Sequence, residues 1–297
     1  MKRLSRRATR TPRRIVSLAP SATSILCALG ARKYLVGVTR WCRDVAPVNG
    51  LPTLGDCWQS DPARVAALKP DLVIGSVPYR AEVVKALLDR NLTLLAMNPL
   101  SLKDIFSDIR LLGPLVGREK QAEALEGALE RKFEQVADRA RRLNTRPAVY
   151  CESWPNPLML SPPWVEEMVA LAGGRFVPAG GGRIVAKQEV LAVKPEIVVL
   201  AWTACGMRVA VNKVLRRQGW LRLPALRRRQ VYVVSDEALN TPGPPLAAGL
   251  QRLAKIIHPE IFGPSADGKL ARLGQGPSAG RARSGGQACL SPRQEER

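Results

Sequence analysis

Six of the fourteen aromatic residues in this 297-residue chain are tryptophans, and four of the six sit within three residues of a cysteine. The pairs are Trp41 with Cys42, Cys57 with Trp58, Cys151 with Trp154, and Trp202 with Cys205. An indole offers a broad apolar face, roughly 150–250 Å² of buriable surface, and one N–H donor, which suits contact with a large, flat, partly polar molecule such as a tetrapyrrole or corrinoid. It serves equally well as a core plug. A thiolate can ligate a bound metal, but these cysteines lack the C-x-x-C spacing that brings two sulfurs together locally, and an inert buried thiol is the default. Asp44, Asp56 and Glu152 border the same segments, where a carboxylate can bond a polar ligand edge or cap a turn. The single histidine, His258, leaves histidine triads and multi-histidine zinc sites without material.

The elements that must position these residues read as an α/β chain with mainly parallel sheets. Short apolar runs predict strands over Arg14–Leu18, Leu35–Val38, Asp71–Gly75, Leu92–Met97, Ala148–Cys151, Glu196–Ala201 and Val231–Val234. Three of the four Trp–Cys pairs fall at or just past the C-terminal end of one of these strands, the place where open α/β sheets bind ligands. The pair Cys57-Trp58 sits in the loop before a helix predicted over Ser60–Lys69, with Ser60 as N-cap. A second helix is predicted after Ser161, with Gly173 or Gly174 as its stop. The segment VAALKPDLVIGS at 65–76 is echoed by VLAVKPEIVVLA at 190–201, each a helix, a Lys-Pro stop and a buried strand, which points to two related lobes. Between the copies, Leu102–Leu143 is helical in period with a break near Gly113-Pro114, and its second part predicts one helix of about 26 residues, about 39 Å long. The expected organisation is a basic disordered segment over 1–13, an α/β lobe over 14–117, a linking helix over 118–145, a second α/β lobe over 146–262 and a disordered tail over 263–297.

Net charge is +21, which raises nucleic acid as a partner until its location is considered. Residues 1–14 hold seven Lys/Arg and no acid, and residues 265–297 hold six against three acids, so the two ends account for +10. The arginines at Arg139, Arg141, Arg142, Arg216, Arg217 and Arg227–Arg229 read as solvated helix faces, and no specific nucleic-acid binding is expected. The near-P-loop GPSADGKL ends in Leu270 where Ser or Thr must meet magnesium, and no strand precedes it.

Four segments, RIVSLAPSATSILCALGA, LVGVTRWC, DPARVAALKPDLVIGS and LNTPGPPLAAGLQRLAKIIHP, stand in an order and spacing that resembles the cobalamin- and iron-complex-binding proteins of ABC importers. The likeness runs from residue 14 to about 262. It implies a class III periplasmic-binding-protein fold, two lobes with mainly parallel sheets joined by one long helix. It also implies capture and release of a small-molecule metal chelate between the lobes, without catalysis or a catalytic cofactor. The loops that correspond to the ligand-holding ones contain Ser21, Trp41, Cys42, Cys57, Trp58, Tyr79, Arg80, Glu152, Trp154 and Trp202. The cobalamin-binding subgroup is the nearest, so the expected ligand is a cobalamin-like corrinoid. A binder of haem or a ferric siderophore, or an enzyme of tetrapyrrole or metal-cofactor metabolism on a similar fold, is the alternative.

Two departures from that family bear on partners and location. Relatives carry one acidic residue per lobe for docking on a permease, and Ala63 and Gln188 stand at those positions, with Glu189 one residue away. Permease docking is therefore not expected, and the chain reads as a monomer. Ser5-Arg6-Arg7 is followed by no apolar stretch, and Ile15–Ala31 is interrupted by Pro20 and four hydroxyl residues, so the chain is expected in the cytoplasm, or outside it if the start site lies elsewhere.

Overall fold

Aliphatic runs that follow a Lys-Pro helix stop form parallel strands buried along their length, at 72–76 and 197–200. The computed structural model describes residues 11–54 and 60–265. Most of the expected basic N-terminus, Asp56, Cys57 and Trp58, and all but the first residues of the expected tail with its P-loop-like segment lie outside the described residues. The chain divides into two compact units, Met1–Lys132 with Thr241–Pro245, and Phe133–Asn240 with Leu246–Arg297.

In the first unit, β1 (Ile15–Ser17), β2 (Leu35–Val38), β3 (Leu72–Ser76) and β4 (Leu94–Met97) form an all-parallel sheet in the order β2-β1-β3-β4. Val16, Leu18, Leu54, Val65, Val73 and Leu87 make one buried cluster on it. Helix α1 (Pro20–Ala28) leaves the C-terminal end of β1 with proline in its first turn, where no N–H partner is lost. Helix α2 (Pro62–Ala67) is capped by Asp61, whose carboxylate accepts from Ala63 N at 2.8 Å, and not by the expected Ser60. Helix α3 (Ala81–Leu88) precedes β4, and α4 (Leu102–Leu115) starts on Ser101, whose Oγ accepts from Asp104 N. The expected break at Gly113-Pro114 comes later: Pro114 is accommodated in the last turn, and the chain reverses at Gly117, φ +65°. Gly113 is required there for closeness, since a Cβ on it would lie 2.5 Å from Ala122 Cβ.

Helix α5 (Glu119–Arg141) is the long helix of the sequence pattern, 23 residues. It begins in the first unit and ends in the second. There, β5 (Ala148–Pro155) is central, with β6 (Leu158–Leu160) antiparallel to its C-terminal half and β7 (Arg175–Phe176) parallel to its N-terminal half. On the other side lie β8 (Ile197–Leu200) and β9 (Val231–Val233), both parallel. Helices α6 (Pro163–Leu171), α7 (Lys187–Val193), α8 (Val211–Leu215) and α9 (Pro224–Arg227) join these strands, and α10 (Asp236–Asn240), α11 (Leu246–Ile257) and α12 (Pro259–Phe262) follow. Ser161 does not cap α6; its Oγ is buried without a partner, and the expected stop is Gly173, φ +84°. The internal echo extends to the backbone at its lysines: Lys69 after α2 and Lys194 after α7 both adopt a left-handed conformation, φ +47° and +46°, ahead of their prolines.

Two features of this packing are measurable. A Cβ on Gly249 of α11 would lie 1.9 Å from the Ala238 carbonyl oxygen, a backbone atom that cannot rotate away. Gly249→Ala is expected to lower stability by about 3 kcal/mol, read as a fall in thermal midpoint. On α4, burial and then the nearby Asp104 raise the pKa of Asp108 to about 6. Its folded pKa exceeds its unfolded one, so the folded chain holds the extra proton and stability falls as pH rises from about 4 to about 6. Asp108→Asn is expected to flatten that slope and add about 1 kcal/mol at pH 7, after allowance for solvent screening; an unchanged denaturation profile would refute it.

Candidate functional site

Those residues singled out by the sequence that the structure describes lie at or near the C-terminal strand ends of each unit. In the first unit, Ser17, Thr23, Thr39 and Cys42 form a buried neutral cluster: Thr23 Oγ1 lies 2.8 Å from Ser17 Oγ and 3.1 Å from Cys42 Sγ, and Thr39 Oγ1 lies 3.2 Å from the same sulfur. Cys42 is therefore held inside the unit, and burial raises its pKa against the opposing pull of the two threonine hydroxyls. A thiol kept protonated is a poor metal ligand. Ser21 is buried at the start of α1, where its carbonyl accepts from Ser24 Oγ at 2.8 Å. Trp41 is half-buried, with the Arg40 guanidinium stacked 4.5 Å from its ring centre. The Tyr79 ring packs on Gly75, where a Cβ would meet it at 2.9 Å, and its hydroxyl donates to the Met97 carbonyl at 3.0 Å. Arg80 is exposed at the N-cap of α3.

In the second unit a β-bulge decides what faces outward. Glu152 pairs with Leu160, and Trp154 pairs with Met159, so Ser153 is an extra residue between the two rungs. Residues two apart on a strand normally share a face; the bulge breaks that rule. Glu152 and Leu160 both turn inward at 0% exposure, whereas Trp154 and Met159 are left partly exposed. Met159 pairs in turn with Ile184, which is 59% exposed. Directly opposed residues on neighbouring strands lie on the same face, so Trp154, Met159 and Ile184 form a continuous apolar row. The Trp154 N–H is taken by the Asn156 carbonyl at 3.0 Å, which leaves its ring face free of a polar demand.

Behind the row lies a closed polar knot. The Glu152 carboxylate accepts from Tyr150 Oη at 2.6 Å, Trp202 Nε1 at 2.8 Å and both Arg217 Nη atoms at 2.7 and 2.8 Å. Trp202 is buried, and its only polar atom is engaged here. Arg217, read as a solvated charge, is instead 14% exposed; the arginine run carried no sign of the distant carboxylate. Burial, and next the Glu152 charge, push the Tyr150 pKa well upward, so the phenol stays a donor. The loop after β8 is fixed by Asp236, which accepts from Ala204 N at 2.7 Å and Gly206 N at 2.8 Å, and by Asn240, which donates to the Ala201 carbonyl at 2.7 Å. Ala204 and Gly206 have positive φ, +64° and +53°. Cys205 in this loop is disulfide-bonded, whereas Cys27, Cys42 and Cys151 are free thiols. Met159, Ile184, Arg217 and Asp236 were not legible as site residues, because each acquires its place only through pairing with a distant segment.

Parallel sheets with aromatic and apolar side chains at their C-terminal edges, and with charges neutralised in place, define a solute-binding protein better than a catalyst. The family model described as "Periplasmic binding protein" matches residues 15–238, and the chain belongs to that family. Its members are solute-binding, non-catalytic components of transport. The chain is 28% identical over 264 residues to the uncharacterized ABC transporter substrate-binding lipoprotein YvrC of Bacillus subtilis, covering 84% of this chain and 82% of the relative. It is 22% identical over 257 residues to a cobalamin-binding protein of Halobacterium salinarum, covering 83% and 70%. A periplasmic heme-binding protein from Pseudomonas aeruginosa shares the fold with a TM-score of 0.76 at 24% identity, over 84% of this chain and 94% of that one.

The family overturns the cytoplasmic expectation, since periplasmic binding proteins and the lipoprotein relative are extracytoplasmic. The physical reason is that a binding protein of an importer meets its solute outside the membrane, and the Cys205 disulfide is of the kind that persists in oxidising compartments. At the positions expected to bear docking acids, Ala63 is exposed on α2 and Gln188 on α7. Glu189 beside it is bound by Arg183 through two bonds of 3.0 and 2.7 Å.

The state of the thiols is directly testable. Burial raises the pKa of Cys151 as well as Cys42, and both are fully enclosed, whereas Cys27 is partly exposed. Native protein treated with iodoacetamide at pH 8 is expected to be alkylated at Cys27 well before Cys42 or Cys151, as read by peptide mass spectrometry. Faster labelling of Cys42 would reopen a ligand role for its sulfur.

Proposed function

We propose that the chain binds a corrinoid of the cobalamin type at the C-terminal strand ends, through Trp41, Tyr79 and Arg80 in the first unit and Trp154 in the second. Cys57 and Trp58 belong to the same expectation. The observation that carries this reading is the row Trp154–Met159–Ile184, a partly exposed apolar strip three side chains wide, held on the β5–β6 pair and the bridge from Met159 to Ile184. Such a strip suits the face of a large ring system, because flat apolar contact is gained with little loss of side-chain freedom. Glu152 and Trp202 back this wall from inside.

The charge nearest the row is balanced within the unit, Arg217 by Glu152 and Arg183 by Glu189, which leaves the strip itself an apolar surface. The likeness to a cobalamin-binding protein supports a corrinoid as the ligand.

Purified protein incubated with cyanocobalamin, haemin or a ferric siderophore and then desalted is expected to retain the cobalamin spectrum at one ligand per chain. Retention of haemin alone would select the alternative chelate. Trp154→Ala is expected to weaken cyanocobalamin binding by roughly 1–3 kcal/mol, about 5- to 150-fold, with little change in thermal midpoint because the ring is partly exposed. Normal affinity together with a sharp loss of stability would mean that the indole is packing material and not a ligand contact.

A further inference from the structure

The guanidinium of Arg217 is engaged along its edge and on its face. The edge makes the two-pronged bond to Glu152, and Nη2 also approaches the Pro155 carbonyl at 3.4 Å. The face lies 4.4 Å from the ring centre of Trp220, which meets Tyr150 edge-on at 5.6 Å. Glu152 and Pro155 flank the bulge, one on each side of Ser153 and Trp154. A single planar cation thus grips the strand before and after the point where it changes face. The opposite strand is held by Ser153, whose Oγ donates to the Leu160 carbonyl at 2.9 Å.

Stability alone does not call for this arrangement. A buried ion pair can often be replaced by apolar residues of similar volume with no loss, whereas removing one partner leaves the other charge stranded. What an apolar pair cannot do is fix direction: the guanidinium is a rigid fork with donors at set angles, and lysine offers only a point charge on a flexible stem. We propose that Arg217 is a positioning residue for ligand binding. By bridging Glu152 and Pro155 it sets the angle at which the bulge presents Trp154, and with it Met159, while touching no ligand itself. This assignment rests on the reading of the row as a ligand contact, and its test separates the two.

Four forms of the full chain are compared: wild type, Arg217→Met, Arg217→Lys and the double variant Glu152→Gln/Arg217→Met. Thermal midpoint, hydrogen exchange of the segment 153–160 without ligand, and affinity for cyanocobalamin are measured on each. Arg217→Met is expected to lose stability, because Glu152 is left buried and unpaired. The double variant is expected to regain most of that loss while its hairpin still exchanges at least tenfold faster than wild type and binds cyanocobalamin at least tenfold more weakly. Arg217→Lys, with the charge but without the fork, is expected to match the double variant in exchange and affinity. If exchange and affinity recover along with the midpoint in the double variant, or if lysine suffices, Arg217 is structural only and the proposal falls. If wild type binds no cyanocobalamin, the ligand reading fails by itself, and protection of the hairpin still decides the positioning role.

Discussion

A carboxylate with no access to water is the constraint around which the second unit is built. Glu152 is at 0% exposure, and a buried charge is tolerable only when it is paired and its lone pairs are filled. Its donors come from Tyr150 two residues away, Trp202 fifty residues on and Arg217 sixty-five residues on. Satisfying one side chain therefore fixes the end of β5, the start of the loop after β8 and the chain beyond α8 relative to one another. Inside a unit of this kind such a network is all or nothing, since the same low dielectric that strengthens its bonds penalises any that is missing.

The two units share a plan and differ in chemistry. Each has a helix, a left-handed lysine, a proline and a buried strand at its centre, and each collects its candidate ligand residues where strands end. At those ends the first unit relies on neutral groups, the hydroxyls of Ser17, Thr23 and Thr39 around the Cys42 thiol. The second relies on charge, with Glu152 balanced by Arg217 and with Asp236 accepting two backbone N–H groups. A neutral cluster tolerates small adjustments, whereas a bidentate ion pair holds one geometry.

What was legible in the sequence was what local chemistry dictates. Strands built from aliphatic runs such as Leu35–Val38 and Val231–Val233, the long helix and the repeated Lys-Pro stop all announce themselves within a few residues. Errors arose where two local signals competed, as when Asp61 took the cap assigned to Ser60, or where Pro114 fitted inside the last turn of α4. The strand β6 was missed because three residues after Asn156-Pro157 carry no period of their own. The candidate site was only half readable: residue types flagged Trp154 and Glu152, but a bulge sent one outward and the other inward. No single-strand pattern contains that information, because a bulge exists only in the pairing of two strands. The compartment was misread for a similar reason. That expectation rests on the segment up to Ala31, while the family match spans residues 15–238.

The path of the chain carries one more consequence. After the second unit is almost complete, Thr241–Pro245 returns to the first unit, where Gly243 packs so closely on α1 that a Cβ would stand 3.0 Å from Ser24 Oγ, and the chain then goes back to form α11. During synthesis the earlier unit must therefore wait, unfinished, until more than a hundred later residues have emerged. No single cut separates the two units intact, and a fragment ending after α5 lacks a piece of its own wall. Completion of the first unit is thus tied by chain order to synthesis of the second.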